Sequence, residues 1–302
     1  MKYILPLDER AEPRLVGGKA FNLSLLAGSS LNVPRGFVLT AAAFDEGLGR
    51  ELERLREAGS GAAVKDLLPL LREKALGDSF TAALGAELGR AFASLNIRRA
   101  AVRSSAEAED GELASFAGQF ESSLGVNAAG LDSAVKRCWA SAFSPRAHTY
   151  REGFRPRMAV IVQEMVEAEV SGVAFSCHPV TGDRGSVVVE AVYGLCEALV
   201  NGSFTPDHYC VAKESFRTRE TYLAPQREYL GLDPAGGTKL FPVPEELNAL
   251  PKLDEEALRQ VARAAVEIES LLKKPVDIEW AVKDGELHIL QARPVTNLRE
   301  HE

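Results

Sequence analysis

The residues most able to do chemistry lie on a predicted β-hairpin spanning residues 275–294. On its first strand Asp277 and Glu279 alternate with apolar side chains, so both carboxylates lie on one face. The returning strand carries Gln291 and Arg293, also two residues apart. Carboxylate and amide oxygens suit Mg²⁺, and a guanidinium group suits phosphate oxygens. The pattern indicates a metal–phosphate face, and ordinary cross-strand ion pairing is the alternative.

The turn of this hairpin decides whether the polar residues share a face. A two-residue Asp-Gly turn pairs Lys283 with Glu286 and sets Gln291 on the side opposite Glu279. A three-residue loop, 283–285, with Gly285 in a G1 bulge, sets Asp277 opposite Gln291 instead. We predict the three-residue loop, because it gathers the polar residues. It places Trp280, Ile278, Leu290 and Ala292 behind the polar face, and leaves Leu287 and Ile289 on the polar side.

Four upstream segments have residue types that suit a nucleotide. Gly17-Gly18-Lys19 at a helix start and Arg103 at a strand end could contact phosphates. The small-residue loop 115–119 could approach them closely. Residues 163–166 could offer backbone groups to adenine. Taken alone, each segment is also compatible with a plain structural role, and only their combination favours a nucleotide site.

The elements that must position these residues change along the chain. Residues 41–95 have helical periodicity, whereas strands dominate after residue 158, and a last helix is predicted over 254–272. The mixture predicts an α+β or α/β fold. The run 158–166 begins fully apolar, which is typical of a central buried strand. Residues 213–244 carry Gly and Pro and are predicted to be a mobile connection.

The composition excludes several classes of protein. The 302 residues carry a formal net charge of −8, which argues against nucleic-acid binding because that needs clustered Lys and Arg. The four cysteines form no C-x-x-C pair of the zinc-ribbon kind. No apolar run suits a signal peptide or spans a bilayer, so we expect a cytoplasmic protein with no membrane partner.

Set in chain order, these segments resemble the N-terminal nucleotide-binding domain of phosphoenolpyruvate synthase and pyruvate phosphate dikinase. The resemblance covers almost the whole chain, and the order of its motifs makes it specific. The matching runs are GGKAFNL (17–23), VPRGFVLT (33–40), AVRSSAEAED (101–110), ASFAGQFE (114–121), VQEMV (162–166), SGVAFS (171–176), TPD (205–207) and LQARP (290–294).

The resemblance implies an α+β fold of the ATP-grasp type, in which two lobes close on ATP with the nucleotide cleft between them. The lobes would be residues 1–165, with the phosphate-binding motifs, and residues 166–302, rich in strands and holding the metal-binding hairpin. Catalysis would consist mostly of charge neutralisation and alignment of the phosphates.

The resemblance also implies roles for individual residues, with ATP and Mg²⁺ as cofactors. Lys19, Arg103 and Arg293 would be catalytic, the first two on phosphates and Arg293 on the transferring phosphoryl group. Glu279 and Gln291 would hold Mg²⁺, with Asp277 beside the nucleotide. The remaining nucleotide contacts would be Ser115, Gly118 and Gln119 over the phosphates, and Gln163, Glu164, Met165 and Val166 at adenine, where Glu164 and Val166 use their backbone.

Enzymes of this family continue into a domain with a phospho-accepting histidine and a barrel that binds the acceptor. We therefore expect a dikinase-type phosphotransferase component with paired acceptors, which passes a phosphoryl or pyrophosphoryl group to a histidine on a separate domain or subunit, with a further acceptor-substrate subunit. The alternatives are a non-catalytic ATP-binding regulatory module and a fragment of a longer dikinase. His178 follows Cys177 where the family has Thr-Arg-Asp/Asn-Pro, and we expect a local structural role for it.

Overall fold

The computed structural model describes residues 2–58, 62–77, 79–106, 121–144 and 156–295. Within these ranges it contains seven α-helices and thirteen β-strands, so the predicted α+β class is confirmed. The chain divides into two compact units. The first comprises Met1–Ser24 and Arg35–Met165, and the second comprises Leu25–Pro34 and Val166–Glu302.

The first unit is a five-stranded antiparallel sheet, ordered β1-β2-β5-β3-β4, with helices packed against it. Its elements are β1 (Ile4–Pro6), α1 (Pro13–Ala27, whose last turn belongs to the second unit), β2 (Gly36–Leu39), α2 (Ala41–Ala58), α3 (Ala62–Leu76), α4 (Ala82–Leu95), β3 (Ala100–Ala106), β4 (Ser122–Val126), α5 (Leu131–Ser141) and β5 (Met158–Glu164).

Strand β5 is the central strand of this sheet, as its apolar run predicted. Val160, Ile161 and Val162 have no exposed surface, because both faces of the strand are covered. Trp139 of α5 anchors the core on one face and meets Phe44 of α2 edge-on, with 5.6 Å between ring centres. The buried part of β5 is therefore directly continuous with residues 163–165.

The second unit is built on a six-stranded antiparallel sheet, ordered β13-β12-β6-β7-β8-β9, with a separate two-stranded sheet, β10-β11. Its elements are β6 (Val170–Phe175), β7 (Ser186–Tyr193), α6 (Glu197–Val200), β8 (Asp207–Ala212), β9 (Thr218–Tyr222), β10 (Glu228–Leu232), β11 (Thr238–Pro242), α7 (Glu255–Leu272), β12 (Val276–Lys283) and β13 (Glu286–Pro294).

Helix α7 covers one face of the six-stranded sheet. It begins at Asp254, whose carboxylate accepts a hydrogen bond from the Ala257 N–H at 2.8 Å. Its buried stripe includes Val261 and Ile268, which share a core with Trp280 of β12. The opposite face of the sheet carries the polar side chains of the hairpin.

Residues 213–244 were predicted to be a connection without regular secondary structure, and this prediction is wrong. Three strands, β9, β10 and β11, lie in this stretch. The Gly and Pro residues that suggested a loop lie largely between strands, as at Gly236 and Gly237, which have positive φ angles in the turn that joins β10 and β11. None of the helices in the described ranges is long and apolar enough to cross a membrane.

Candidate functional site

The β12–β13 hairpin turns through two residues, not three. Lys283 pairs with Glu286, and Asp284 and Gly285 between them both have positive φ angles, 52° and 77°. Positive φ at both central positions is the requirement of a type I′ turn, which Asp-Gly meets. The predicted three-residue loop with a G1 bulge at the turn is therefore wrong.

A bulge further along the hairpin changes the register. Trp280 pairs with Ile289, but Glu279 pairs with Gln291, so Leu290 is an extra residue on β13. Without this bulge, the two-residue turn would set Gln291 on the side opposite Glu279. The bulge shifts the pairing by one residue, so that Glu279 and Gln291 are direct cross-strand neighbours on one face.

The bulge also improves the division between polar and apolar side chains. Asp277 pairs with Arg293, so the predicted pairing of Asp277 with Gln291 is wrong. Asp277, Glu279, Gln291 and Arg293 nevertheless share a face, as predicted. The predictions for the apolar residues were partly wrong. Ile289 is fully buried in the core with Trp280, and Leu287 packs against the same core, whereas Leu290 does not belong to it.

Asp277 and Arg293 form the best-defined contact of this polar face. The Nε and Nη2 atoms of Arg293 donate to one oxygen, Oδ2 of Asp277, at 2.9 and 2.6 Å. Asp277 is only 9% exposed and Gln291 only 7%. Burial raises the pKa of Asp277 above its ordinary value, Arg293 opposes this rise, and the carboxylates of Glu279 and Glu190 add to it.

Glu190 is a residue of this face that sequence reasoning missed. Val173 of β6 pairs with both Glu279 and Glu190, which sets the two glutamates in one row across the sheet. The next residue in the row is His208, whose Nδ1 lies 3.6 Å from Oε1 of Glu190. The available signal was a single carboxylate within the otherwise apolar run of β7, SVVVEAVY.

The face carries three carboxylates, Asp277, Glu279 and Glu190, and the cation that lowers the pKa of Asp277 is Arg293. Across the described ranges, no group of three or more His, Cys, Asp and Glu side chains is gathered into a metal site. Glu279 and Gln291 offer a carboxylate and an amide side by side. Such a pair suits Mg²⁺, which usually takes few protein ligands and completes its shell with water and phosphate oxygens.

In the first unit, the Gly17-Gly18-Lys19 segment meets the end of β3. Helix α1 is interrupted at Gly17, whose φ is 77°. The Ala20 N–H donates to the Ser105 hydroxyl at 3.1 Å, and a Cβ on Gly17 would lie 2.0 Å from the Ser105 carbonyl oxygen. Arg103 lies two residues before Ser105 on the same strand face. The structure therefore brings the Lys19 and Arg103 segments together.

The segment predicted to border adenine, residues 163–166, begins in the last two residues of β5. Gln163 is buried, and the N–H groups of Glu164 and Met165 donate to the carbonyls of Arg35 and Arg99 at 2.8 and 3.1 Å. The Glu164 carboxylate accepts from Arg35 Nε at 3.0 Å. The N–H groups of Glu164 and Met165 are therefore already hydrogen-bonded within the protein. The backbone groups left for the predicted adenine contacts are the carbonyl of Glu164 and those of Val166. Val166 is the first residue of the segment 166–302, which belongs to the second unit.

Two other predictions concern loops. Ser115, Gly118 and Gln119 lie outside the described residues. His178 Nδ1 accepts from the N–H groups of Val180 and Thr181 at 3.2 and 3.3 Å, so its ring closes a local turn. This contact supports the structural role expected for His178. The four cysteines are buried.

Known proteins that are similar to this chain show its family. Residues 13–302 match the family described as pyruvate phosphate dikinase, AMP/ATP-binding domain. The chain is 33% identical to a probable phosphoenolpyruvate synthase of Methanocaldococcus jannaschii, over 99% of this chain and 27% of that protein. It is 36% identical to a rifampicin phosphotransferase of Streptomyces sviceus (98% and 36%) and to the prodigiosin synthesizing transferase PigC of Serratia marcescens (96% and 32%).

The chain thus spans about a third of the length of these curated relatives. The family match supports ATP as the ligand and, with the α+β structure, the predicted ATP-grasp type of fold. On the extent of this match and the identity to these relatives, the chain belongs to the pyruvate phosphate dikinase AMP/ATP-binding domain family.

Proposed function

We propose that the chain binds Mg-ATP and passes a phosphoryl or pyrophosphoryl group to a histidine on a separate domain or subunit. The observation that carries this proposal is the pairing of Glu279 with Gln291 beside the Asp277–Arg293 ion pair. A carboxylate, an amide and a guanidinium on one face combine a Mg²⁺ site with a phosphate site. Lys19 and Arg103 supply further positive charge to the phosphates.

Glu279 and Gln291 would hold the metal, which when bound neutralises phosphate charge during transfer. One feature favours a cation there. Glu279 and Glu190 both raise the pKa of Asp277, which reports mutual repulsion among carboxylates on this face. Asp277 in turn orients Arg293, whose planar group can bind the transferring phosphoryl group. This chain's contribution to catalysis is alignment and charge neutralisation.

The remaining predicted residues would hold the rest of the nucleotide. Gln163, Glu164, Met165 and Val166 would border adenine, with Glu164 and Val166 using backbone groups. Ser115, Gly118 and Gln119 would cover the phosphates. The two compact units would be the two lobes of the domain. Because the reaction consumes ATP, we place it in the cytoplasm.

The acceptor would lie outside the residues of this chain. The relatives are about three times as long, and two are a phosphoenolpyruvate synthase and a rifampicin phosphotransferase by name. We propose paired acceptors: a histidine that takes the group first, and a small-molecule substrate held by a further domain or subunit. In the first step, the neutral imidazole nitrogen forms an N–P bond while the P–O bond to ADP or AMP breaks, and the imidazole proton passes to solvent.

The metal site is tested by titration calorimetry of ATP, with and without Mg²⁺. Replacing a metal ligand should lower the affinity for ATP in the presence of Mg²⁺ by about tenfold or more. Even residues that only hydrogen-bond to metal ligands change metal affinity by about this factor when they are replaced. Glu279→Gln and Gln291→Leu should both show this loss, and Glu286→Gln, an exposed glutamate on the same hairpin, should not. Equal ATP affinity in all variants, independent of Mg²⁺, would favour a non-catalytic ATP-binding module.

Transfer is tested with ATP labelled at the β or the γ phosphate and the histidine domain of a phosphoenolpyruvate synthase as acceptor. Label from only the γ position identifies phosphoryl transfer, and label from both identifies pyrophosphoryl transfer. If ATP binds tightly but the acceptor stays unlabelled with each domain tried, the transfer proposal is wrong while the binding proposal stands.

A further inference from the structure

A cavity lies in the second unit, on the face of the sheet opposite to Glu279. Its volume is about 460 Å³, within the range of small-molecule sites. Val170 and Tyr193 line it and are direct neighbours across β6 and β7. Val170 also pairs with Val282, and both pack against the core that α7 covers. The cavity is therefore separate from the polar face on which the metal and phosphates are proposed to bind.

The two-stranded sheet forms the outer wall of this cavity. Tyr229 of β10 and Phe241 of β11 stack with 5.5 Å between ring centres, and both line the cavity. Leu195, Leu232 and Val243 complete the apolar surface. Stacked aromatic rings over an apolar floor suit a flat hydrophobic group.

The wall is attached to the large sheet by polar contacts, so the cavity is formed without a ligand. The buried side chain of Gln226 accepts from the Tyr193 N–H at 2.9 Å and donates to the carbonyls of Tyr193 and Glu228. The Leu195 N–H donates to the Leu230 carbonyl at 2.8 Å. Gly194, with φ 80°, permits this approach, since a Cβ there would lie 2.8 Å from the Tyr229 ring.

The charges at the cavity favour a cation. Glu167 and Glu169 are exposed at its edge. Lys283 pairs with Glu169 at 3.1 Å, whereas Glu167 has no hydrogen bond or ion pair with the residues that the structure describes. The faces of the aromatic rings that line the cavity also attract positive charge.

We infer that this cavity binds a small amine with an aromatic body. The ring would lie against Tyr229 and Phe241, and the ammonium group would be directed to Glu167. The proposed phosphoryl transfer does not use this cavity, so the amine would bind at a site separate from that of ATP.

Tryptamine is a suitable probe because it joins an aromatic ring to an ammonium group. Indole-3-propionate, which is an anion, and N-acetyltryptamine, which is neutral, are control compounds with the same ring. In titration calorimetry on the full chain, we expect tryptamine to bind and the two control compounds to bind more weakly. Glu167→Gln should lower the affinity for tryptamine about fivefold, which corresponds to the loss of an exposed ion pair. Tyr229→Ala should weaken it about tenfold through lost stacking and cation–π attraction. Saturating Mg-ATP should leave the affinity unchanged.

The control is Glu228→Gln, which removes a nearby exposed carboxylate that does not line the cavity. Phe241→Leu repeats the aromatic test with less change of volume, should Tyr229→Ala fold poorly. The inference is overturned if tryptamine fails to bind at millimolar concentration, if indole-3-propionate binds equally well, or if Glu279→Ala abolishes tryptamine binding while the cavity variants do not.

Discussion

Arg293 donates two hydrogen bonds to a single carboxylate oxygen of Asp277, from Nε at 2.9 Å and from Nη2 at 2.6 Å. The two residues are direct cross-strand neighbours in the hairpin, so the backbone register sets their distance. Asp277 is almost fully buried, and Arg293 is about a quarter exposed. The guanidinium therefore has a fixed orientation and an accessible edge, which is the arrangement a phosphate-binding arginine needs.

The buried carboxylate of Asp277 predicts a pH dependence of stability. Burial raises its pKa above the ordinary value of 3.8, and Arg293 offsets only part of the rise. Between 3.8 and this raised pKa, the folded chain holds a proton that the unfolded chain has released. The contribution of Asp277 to the free energy of unfolding should therefore fall as pH rises through that window.

Asp277→Asn removes this titration and is the direct test. The free energy of unfolding of the unmodified chain, minus that of Asp277→Asn, should decrease as pH rises from 3.8 through the window. Urea denaturation at a series of pH values measures it, with Asp8→Asn, at an exposed aspartate, as the control. A difference that increases with pH would mean that Arg293 dominates and that the pKa is lowered.

The turn at Gly17 predicts a second outcome. Gly17→Ala combines a positive φ of 77° with a Cβ that would overlap the Ser105 carbonyl. We expect it to lower the free energy of unfolding by about 2 kcal/mol or more, and to weaken ATP binding because Lys19 moves with the turn. Gly89→Ala in α4, where a Cβ meets open space, should instead raise stability by about 0.5–1 kcal/mol. Equal effects of the two substitutions would contradict this explanation.

The hairpin shows how far the sequence could predict the site. Alternation correctly grouped Asp277 with Glu279, and Gln291 and Arg293 lie on the same face as predicted. The predicted register itself was wrong, because it set Gln291 opposite Asp277 and not opposite Glu279. The reason given was wrong, because the Asp-Gly turn has two residues and the shift comes from the bulge at Leu290. A bulge has no composition signal here, since it is selected by burial of Ile289 beside Trp280, a tertiary contact.

Glu190 and the strands after Lys213 were missed for related reasons. The place of Glu190 in the row with Glu279 depends on strand order across β12, β6 and β7, which local patterns do not contain. Strand β9 is exposed at every position, so it lacks the apolar alternation that identifies strands. The elements with strong periodicity, such as α7, were predicted within a residue of their observed bounds.

His178 predicts a third outcome, because its Nδ1 acts as a hydrogen-bond acceptor for two backbone N–H groups. His178→Asn keeps an acceptor at a similar position and should change stability by less than about 0.5 kcal/mol, whereas His178→Ala should cost about 1 kcal/mol. Asparagine accepts no phosphoryl group, so any label that the chain transfers from ATP should be retained in His178→Asn. Loss of that label at unchanged stability would identify His178 as a phosphoryl acceptor.

We expect the largest loss of stability when the ion pair of Asp207 is broken. Asp207 is the last residue of the Thr205-Pro206-Asp207 motif, and its ion pair is fully buried. Asp207 and Lys252 are both without exposed surface and lie 2.7 Å apart. Asp207 also accepts from the Tyr209 hydroxyl and from the N–H groups of Ala224 and Lys252, at 2.9–3.0 Å. One aspartate thus fixes three segments of the second unit.

Lys252→Met leaves this carboxylate buried without its counter-ion, so we expect a loss of about 3–5 kcal/mol in the free energy of unfolding. Lys2→Met breaks an exposed pair with Glu9 and should cost less than about 1 kcal/mol. Urea denaturation of the two variants measures the contrast between the same substitution at a buried and at an exposed lysine. Because the remaining donors still satisfy Asp207, a small loss in Lys252→Met would show that these hydrogen bonds, and not the opposite charge, stabilise the carboxylate.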